Sequence, residues 1–377
     1  MCRLSLTTHS LCSVRVPQVK QALTVDLGSR DVAFQAVIRE VRQGLLDVAG
    51  VSAAEYTTIP VQGSGTFAIE SVLCSVVDRK RGVLVIANGA YGMRQTAITA
   101  AHKIPTFLYE CKDYEAPSLE AIEHLLQTSA KDVSHVSVVH SETTSGIVND
   151  IHAIGQLAKK YNKRFIVDAM SSFGAYPIDF QKAGIDYLVS SANKCIEGVP
   201  GFAFVIANRK AVEEAKGNSS SLALDLYAQM AGLDGNGQFR FTPPTHPLIA
   251  FRQALRELAT EGGVLARARR YKANQTTLMA GLDKLGFKLY LPADQQGYII
   301  SSYHWPRDAG WNFEQFYSKL NERGFVIYPG KVSNADCFRI GHIGRIFPED
   351  TQRLVEAITE VCREMKTAAF AEKKAKL

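Results

Sequence analysis

Two kinds of hydrophobic pattern alternate along the larger, N-terminal part of the chain. Short runs of consecutive apolar residues predict buried strands, and longer stretches with apolar residues three or four positions apart predict helices. The predicted strands lie at 57–61, 82–87, 136–140, 164–169, from 187 onward and at 201–207, and the predicted helices at 31–49, 67–77, 94–101, 118–128 and 150–161. Strands that alternate with helices are typical of a mostly parallel sheet with helices on both faces.

The pattern changes near residue 247. Two long helices are predicted on either side of a Gly-Gly pair, and short strands then mix with two further helices. The helices lie at 248–262, 264–285, 313–323 and from 348, and the strands near 298–303, 325–328 and 337–340. We therefore predict an α/β fold with a large domain at 17–258 and a smaller α+β C-terminal domain at 259–377. Residues 1–16 are expected to pack near the small domain or to be disordered.

Composition and charge exclude several classes of protein. The 377 residues are 46% hydrophobic with a formal net charge of +6, and apart from the Lys-rich tail the basic residues are scattered, so we expect no nucleic-acid partner. The sequence contains no run of 18 apolar residues, so we expect no membrane span, and the first residues do not resemble a secretion signal. Seven cysteines without a CxxC pair predict neither a disulfide framework nor a metal site, which favours the cytoplasm.

An ionisable residue closes each of two apolar strands. Asp168 ends the strand at 164–169, and Lys194 follows the run that begins at Tyr187. A helix-sized connection separates the two strands, so we expect them to be parallel, with both side chains at the carboxyl edge of one sheet. Pyridoxal 5'-phosphate needs such a pair, because an amine holds its aldehyde as a Schiff base and a carboxylate keeps its pyridine nitrogen protonated. A helix cap for Asp168 and a solvated Lys194 are the alternatives.

Two further segments could bind this cofactor. Ser64, Gly65 and Thr66 stand between a strand and a helix, where glycine allows close approach and exposed N–H groups can bind a phosphate. Tyr91 lies in a predicted loop and could stack on the pyridine ring, or could simply pack there. At 140–143, His140, Glu142 and Thr143 could reach the cofactor or the substrate, although Glu142 could instead be structural.

Two candidates lie farther along the chain. Arg339 interrupts an apolar strand, where it either faces the surface or holds an acidic group of a substrate with its planar guanidinium. Thr242 and Thr245 flank two prolines, which predicts a stiff loop suited to subunit contacts or to a plain turn.

Together these segments resemble the 2-aminoethylphosphonate–pyruvate aminotransferase family of the class V aminotransferases. The resemblance covers about residues 17–362 and rests on VQGSG at 61–65, NGAYG at 88–92, HSETT at 140–144, VDAMSSFG at 167–174, SSANKC at 190–195, VIYPGK at 326–331 and DCFRIG at 336–341. It implies a homodimer of fold type I, the fold of pyridoxal-phosphate-dependent transferases, with active sites at the subunit interface. It also implies that the protein transfers the amino group of 2-aminoethylphosphonate to pyruvate, in phosphonate catabolism. The substrates would then be a small anionic amine and a small 2-oxo acid.

The resemblance assigns roles to individual residues. Lys194 would form the Schiff base and Asp168 would bind the pyridinium. The phosphate would be bound by Ser64, Gly65 and Thr66. Thr143 and Asn193 would contact the cofactor, and Thr242 and Thr245 would contact the cofactor of the partner subunit. Arg339 would bind the substrate anion.

The N-terminus departs from the family, and other functions stay open. Residues 6–13 contain no Pro-Gly-Pro where such proteins usually have a Thr-Pro-Gly-Pro loop. Another class V aminotransferase, acting on serine or alanine with glyoxylate, is one alternative, and a catalytically impaired pyridoxal-phosphate-binding protein is another. A cysteine desulfurase is disfavoured, because Asn193 stands where that group usually has histidine and Cys337 lies in a predicted strand.

Overall fold

The computed structural model describes residues 4–5, 17–307, 310–330 and 335–366. The strands in these ranges are β1 Leu4–Ser5, β2 Tyr56–Gln62, β3 Val83–Ala87, β4 Thr106–Glu110, β5 His135–Val139, β6 Ser141–Glu142, β7 Ile147–Val148, β8 Arg164–Asp168, β9 Tyr187–Ser191, β10 Phe202–Asn208, β11 Ile300–His304, β12 Phe325–Val326, β13 Tyr328–Pro329 and β14 Cys337–Gly341. The α-helices are α1 Pro17–Gln21, α2 Val32–Ala49, α3 Gly65–Val76, α4 Ala90–Ala101, α5 Leu119–Gln127, α6 Ile151–Lys160, α7 Phe180–Ala183, α8 Arg209–Glu214, α9 Leu226–Gly235, α10 Thr245–Glu261, α11 Gly263–Lys284, α12 Phe313–Glu322 and α13 Pro348–Glu364.

A seven-stranded sheet in the order β2-β10-β9-β8-β5-β3-β4 forms the centre of the fold. The neighbours from β9 to β4 are parallel, whereas β10 runs antiparallel to both β9 and β2. Every residue of β3, β5 and β9 is buried, because helices cover both faces of the sheet. The predicted α/β fold with a mostly parallel sheet is confirmed.

Several boundaries differ from the prediction. Helix α4 begins at Ala90 rather than at 94, so Tyr91 lies in its first turn and not in a loop. Helix α10 begins at Thr245 rather than at 248, so Thr245 starts a helix and only Thr242 precedes it. The pattern missed β4, whose residues are all at least partly accessible, because an edge strand lacks the continuous apolar run of a central strand.

Two main hydrophobic cores divide the chain. The first surrounds the central sheet and ends with Leu258, and the second extends from Leu278 to Cys362 around the antiparallel sheet β11-β14-β13. Helices α10 and α11 meet at Gly262 and Gly263, whose positive φ angles of 103° and 76° favour glycine. The domain boundary between residues 258 and 259 stays a prediction.

The N-terminal segment is described only at Leu4 and Ser5, which pair in parallel with Phe325 and Val326. The stretch at 6–13 that lacks Pro-Gly-Pro lies outside the described residues. Within the described ranges, no helix combines the length and the apolar character needed to cross a membrane.

Candidate functional site

Parallel strands β8 and β9 bring the predicted lysine and aspartate to one cavity. Asp168 ends β8 and pairs with Val189 of β9, and Lys194 follows the end of β9 by three residues. Both side chains line a cavity of about 250 Å³. The sheet therefore places the two groups at the same carboxyl edge, as the strand pattern predicted.

Lys194 is only 9% exposed, and its Nζ donates a hydrogen bond to Ser171 Oγ at 3.4 Å. Burial lowers the pKa of its amine from 10.5 to about 8, because the cavity solvates an ammonium ion poorly, although nearby Asp168 opposes this effect. At neutral pH a fraction of the amine is therefore unprotonated and able to act as a nucleophile. The interpretation of Lys194 as a solvated lysine is wrong.

Asp168 is 5% exposed, and its Oδ1 accepts a hydrogen bond from the amide of Met170 at 3.0 Å. Burial raises the pKa of this carboxyl group from 3.8 to about 7, although the Met170 amide and Lys194 act in the opposite direction. The residues that follow form turns rather than a helix, so Asp168 is not a helix cap. A buried carboxylate at this position would be stabilised by a cationic ligand group.

The first turn of α3 borders the same cavity through Ser64, Gly65 and Thr66. Ser64 is the N-cap residue, and its side chain makes no capping hydrogen bond within the described structure. A Cβ on Gly65 would lie 2.5 Å from the sulfur of Met170, so a larger residue here would require the Met170 side chain to move. The N–H groups of this turn are therefore accessible to an anion in the cavity.

Tyr91, Thr143 and Asn193 also line the cavity. Burial raises the pKa of the Tyr91 hydroxyl, so it stays neutral at physiological pH. These three residues, the first turn of α3, Asp168 and Lys194 come from five separated stretches of the chain, and the structure brings all of them together. Their roles toward a cofactor stay predictions.

Glu142 has a structural role. Its buried carboxylate accepts hydrogen bonds from the amides of Tyr91 and Gly92 at 3.2 and 3.4 Å, and from the Thr144 amide and hydroxyl at 3.0 and 2.7 Å. It therefore caps α4 from strand β6 and fixes the turn that carries Tyr91. Neither Glu142 nor His140 is among the residues that line the cavity.

Arg339 is 3% exposed, so the surface-facing interpretation is wrong. Its Nη1 donates to the carbonyl oxygen of Thr143 at 2.8 Å, and its Nε donates to that of Pro329 at 3.2 Å. Burial lowers the pKa of its guanidinium. Arg339 thus lies directly behind the segment of Thr143, although it does not itself line the cavity.

Thr242 and Thr245 are not part of the cavity within this chain. Thr242 is exposed, and its carbonyl oxygen accepts a hydrogen bond from Gln62 Nε2 at 2.5 Å. Thr245 is half-buried, and its hydroxyl lies 3.4 Å from His246 Nδ1. Their predicted role in a partner subunit's site is a proposal taken up below.

A buried ionic network holds the loop that follows Lys194. Arg267, which is 1% exposed, donates to the carbonyl oxygen of Cys195 at 2.6 Å and to Glu261 Oε2 at 2.6 and 3.0 Å. Glu197 accepts from Arg270 at 2.9 Å and from the Tyr271 hydroxyl at 2.7 Å. Helix α11 thereby braces the lysine loop with charged groups that are distant in sequence.

Sequence reasoning missed five polar residues that line the cavity, namely Arg94, Gln95, Ser141, Ser171 and Ser191. Gln95 Nε2 and Ser141 Oγ are buried and have no hydrogen-bond partner among the described residues. Helical spacing was the available signal for two of them, since Arg94 and Gln95 follow Tyr91 by three and four positions on α4. Buried donors without partners, a buried amine with a carboxylate, and a helix N-terminus suit a polar, phosphorylated ligand such as pyridoxal phosphate.

A family model described as aminotransferase class-V matches residues 22–333. This chain is a class V aminotransferase. It is 46% identical over 357 residues to a 2-aminoethylphosphonate–pyruvate transaminase of Salmonella heidelberg (strain SL476), a match that covers 94% of this chain and 96% of the relative. A protein of the same name from Klebsiella pneumoniae is 47% identical over the same shares.

Solved structures of aminotransferases share the fold. Alanine–glyoxylate aminotransferase from Nostoc sp. matches with a TM-score of 0.89 and 24% identity over 96% of each chain. Pyridoxamine–pyruvate aminotransferase from Mesorhizobium loti matches with a TM-score of 0.87 and 21% identity, over all of this chain and 98% of the other. The arrangement of the aminotransferase fold is thus retained at low sequence identity.

Proposed function

We propose that this aminotransferase transfers the amino group of 2-aminoethylphosphonate to pyruvate and yields phosphonoacetaldehyde and L-alanine. The observation that carries the proposal is the burial of Lys194 and Asp168 in one cavity, at the ends of adjacent parallel strands. The substrate assignment is supported by relatives of that name, which are 46–47% identical along nearly their full length.

The cofactor in this proposal is pyridoxal 5'-phosphate. When bound, it supplies an aldehyde that condenses with amines and a ring that accepts electrons. Lys194 would hold the aldehyde, Asp168 the ring nitrogen, and Ser64, Gly65 and Thr66 the phosphate. Tyr91 would cover the ring, and Thr143 and Asn193 would complete the lining.

Lys194 is proposed to bind the cofactor and to move protons. With a pKa of about 8, about a tenth of its amine is neutral at pH 7, which is enough to attack an aldehyde. In this role Nζ would also take a proton from the substrate carbon. Ser171 Oγ, which accepts from Nζ at 3.4 Å, would hold the amine on the cavity wall.

Asp168 is proposed to hold a proton on the ring nitrogen. A carboxyl group with a pKa of about 7 is only partly ionised in this buried environment, so a cation beside it favours the ionised form. The Met170 amide fixes one of its oxygens at 3.0 Å and leaves the other for a ligand. Replacing the carboxylate with an amide would remove the charge that keeps the ring protonated.

Arg339 is proposed to bind the acidic group of each substrate. Two of its donors are bound to the carbonyl oxygens of Thr143 and Pro329, and no hydrogen bond from its Nη2 is found within the described ranges. A buried guanidinium with a donor in reserve suits a carboxylate or a phosphonate. The same group could therefore serve 2-aminoethylphosphonate and pyruvate in turn.

The protein is proposed to act in the cytoplasm as a homodimer with shared active sites. Phe67 and Phe241, beside the predicted phosphate site and Thr242, are 52% and 45% exposed, and Leu222 is 78% exposed. Large apolar side chains at such exposure favour burial against another subunit. A second copy would also give Thr242 and Thr245 a site to reach.

Hybrid dimers test the shared site. We expect a Lys194→Ala chain and a Thr242→Val/Thr245→Val chain each to be impaired alone, and the mixed dimer to regain up to one intact site. Regained activity requires that the lysine and the threonines of one site come from different chains. Activity no greater than the average of the two parents would contradict the shared site, and sedimentation of the wild type checks the dimer itself.

The direct test of function is to incubate the cofactor-loaded protein with 2-aminoethylphosphonate and pyruvate and to assay alanine and phosphonoacetaldehyde. We expect both products from the wild type and from Lys80→Ala, an exposed control, and neither from Lys194→Ala. Serine and alanine paired with glyoxylate complete the substrate panel. Turnover of only those pairs would replace the substrate assignment, and cofactor binding without any exchange would indicate a non-catalytic protein.

A desulfurase reaction is not supported by the position of Cys337. This residue lies within β14 and is 3% exposed, whereas a desulfurase needs a cysteine on a mobile loop that can reach the substrate.

A further inference from the structure

Arg94 is a cation in the cavity without an acidic partner. It lies on α4, its Cζ is 4.9 Å from the centroid of the Tyr91 ring, and its Nη1 donates to Thr66 Oγ1 at 3.4 Å. Within the part of the chain that the structure describes, no carboxylate forms an ion pair with it. Arg94 is exposed at the edge of the cavity, and its charge acts on Asp168, where it opposes the rise in the pKa of that carboxyl group. Its direct contacts are a neutral hydroxyl and an aromatic face, which orient the guanidinium without pairing it to a carboxylate.

The hydrogen bond to Thr66 locates this charge. Thr66 is the second residue of α3, a twelve-residue helix whose first turn borders the cavity. The guanidinium therefore lies beside the N–H groups of Gly65 and Thr66, at the positive end of the helix dipole. Two sources of positive charge converge there, and both favour an anion.

A second observation also indicates a ligand. Gln95, which is 1% exposed, lines the cavity, and its Nε2 has no partner among the described residues. Its Oε1 accepts a hydrogen bond from Ser137 Oγ at 2.6 Å, which fixes the amide plane. A buried amide donor held in one orientation without a partner is costly unless a ligand in the cavity accepts from it.

We propose that Arg94 and the first turn of α3 together bind a dianionic phosphate group, the phosphate of the cofactor. The inference rests on the proposed function, because it takes pyridoxal phosphate as the ligand. The bond to Thr66 favours the cofactor's phosphate over the substrate's phosphonate, since it keeps the guanidinium at the helix N-terminus. Arg339, the other arginine near the site, is bound to Thr143 and Pro329.

Arginine suits this role better than lysine. Its planar guanidinium can donate two parallel hydrogen bonds to two phosphate oxygens, and the Tyr91 ring restricts its plane before the ligand arrives. A lysine at the same position would supply a point charge only. We therefore expect Arg94→Lys to recover part of the affinity that Arg94→Ala loses.

The test compares ligands with and without the phosphate group. Full-length protein freed of cofactor is titrated with pyridoxal 5'-phosphate, pyridoxal and inorganic phosphate, for the wild type, Arg94→Ala, Arg94→Lys and Arg79→Ala. Arg79 is an exposed arginine near the opposite end of α3 and serves as the matched control. We expect Arg94→Ala to weaken pyridoxal 5'-phosphate and inorganic phosphate by about tenfold or more, as the loss of a charge-assisted hydrogen bond implies, and to change pyridoxal affinity by less than about twofold.

Each other outcome would overturn the inference in a recognisable way. Equal weakening of pyridoxal and its phosphate would mean that Arg94 acts through Tyr91 at the ring. Unchanged cofactor affinity with a raised KM for 2-aminoethylphosphonate would assign Arg94 to the substrate's phosphonate. No change in either quantity would show that Arg94 binds neither anion. These titrations contain no amino donor, so a wrong substrate assignment leaves them unaffected, whereas failure of the wild type to bind pyridoxal phosphate would refute the proposed function itself.

Discussion

Deprotonating Lys194 is expected to stabilise the cofactor-free protein against unfolding. In the unfolded chain this amine has the ordinary lysine pKa of 10.5, whereas burial in the folded cavity lowers its pKa to about 8. Below pH 8 both states carry the proton, and the folded state bears the full cost of a buried ammonium ion. Between pH 8 and 10.5 only the unfolded state keeps it, so stability rises with pH in that window.

The size of the effect follows from the two pKa values. A fall from 10.5 to about 8, at about 1.4 kcal/mol for each pH unit, corresponds to about 3 kcal/mol. Because Lys194 is only 9% exposed, solvent screens little of this cost. Lys194→Met removes the charge and retains a side chain of similar length, so it should add about 3 kcal/mol to the unfolding free energy at pH 7.

The assay is urea denaturation of both cofactor-free proteins at one protein concentration, from pH 7 to 10.5. Tyrosine and cysteine residues titrate in the same range, so the informative quantity is the difference between variant and wild type at each pH. We expect Lys194→Met to be the more stable protein at pH 7 and the difference to vanish near pH 10.5. Lys80→Met, at an exposed turn, controls for net charge.

A difference that stays constant from pH 7 to 10.5 would refute this reasoning, because it would trace the effect to packing and not to the buried charge. A wild type more stable than Lys194→Met at pH 7 would be equally damaging. That result would mean that the ammonium ion is well solvated or paired in the folded state, contrary to its burial.

Three further variants test other parts of the site. Lys194→Ala should abolish turnover and the visible absorbance of the cofactor-loaded protein, and retained turnover would show that this lysine does not hold the cofactor. In the wild type, borohydride reduction should attach the cofactor to residue 194, and mass spectrometry would detect that modification. Gly89→Ala places a Cβ 2.4 Å from Glu142 Cγ, so we expect a loss of about 1–3 kcal/mol of stability and weaker cofactor binding, whereas Gly235→Ala, with open space at its Cβ, should change neither. Arg267→Met removes one of the two arginines that pair with Glu197 and Glu261 and should cost about 3–5 kcal/mol in urea denaturation, with kcat reduced more than KM; an unaltered unfolding midpoint would show that the network does not brace the lysine loop.

The candidate chemistry was predictable where a local pattern carried it. Lys194 and Asp168 each follow a run of apolar residues, and an ionisable group at the end of a buried strand has few positions other than the sheet edge. The Gly65 turn was equally visible, because a glycine between a strand and a helix combines two local signals. These predictions depended on residues a few positions apart, and the structure brings the predicted groups to one cavity.

Other features depended on contacts between distant parts of the chain. The pattern of its own strand does not determine whether Arg339 is exposed or buried. Its hydrogen bond to the carbonyl oxygen of Thr143 joins residues 196 positions apart. Glu142 could be a ligand or a cap until the amides of Tyr91 and Gly92 were seen to use its carboxylate. For Arg94 the signal was weak, a helical spacing from Tyr91, because an exposed arginine on a helix is usually a solvated surface residue.

The sequence by itself determined the order of strands and helices and the chemical types of the groups that end them, because hydrophobic periodicity acts over a few neighbouring residues. Only the tertiary structure decided that β8 and β9 are neighbours and that Asp168 and Lys194 are buried in the cavity at their ends. Burial shifts the pKa of Lys194 and of Asp168 toward neutrality, and this shift requires dense packing by segments far away in the chain. For that reason the reactivity of these two groups, unlike their identity, could not be deduced from the order of residues.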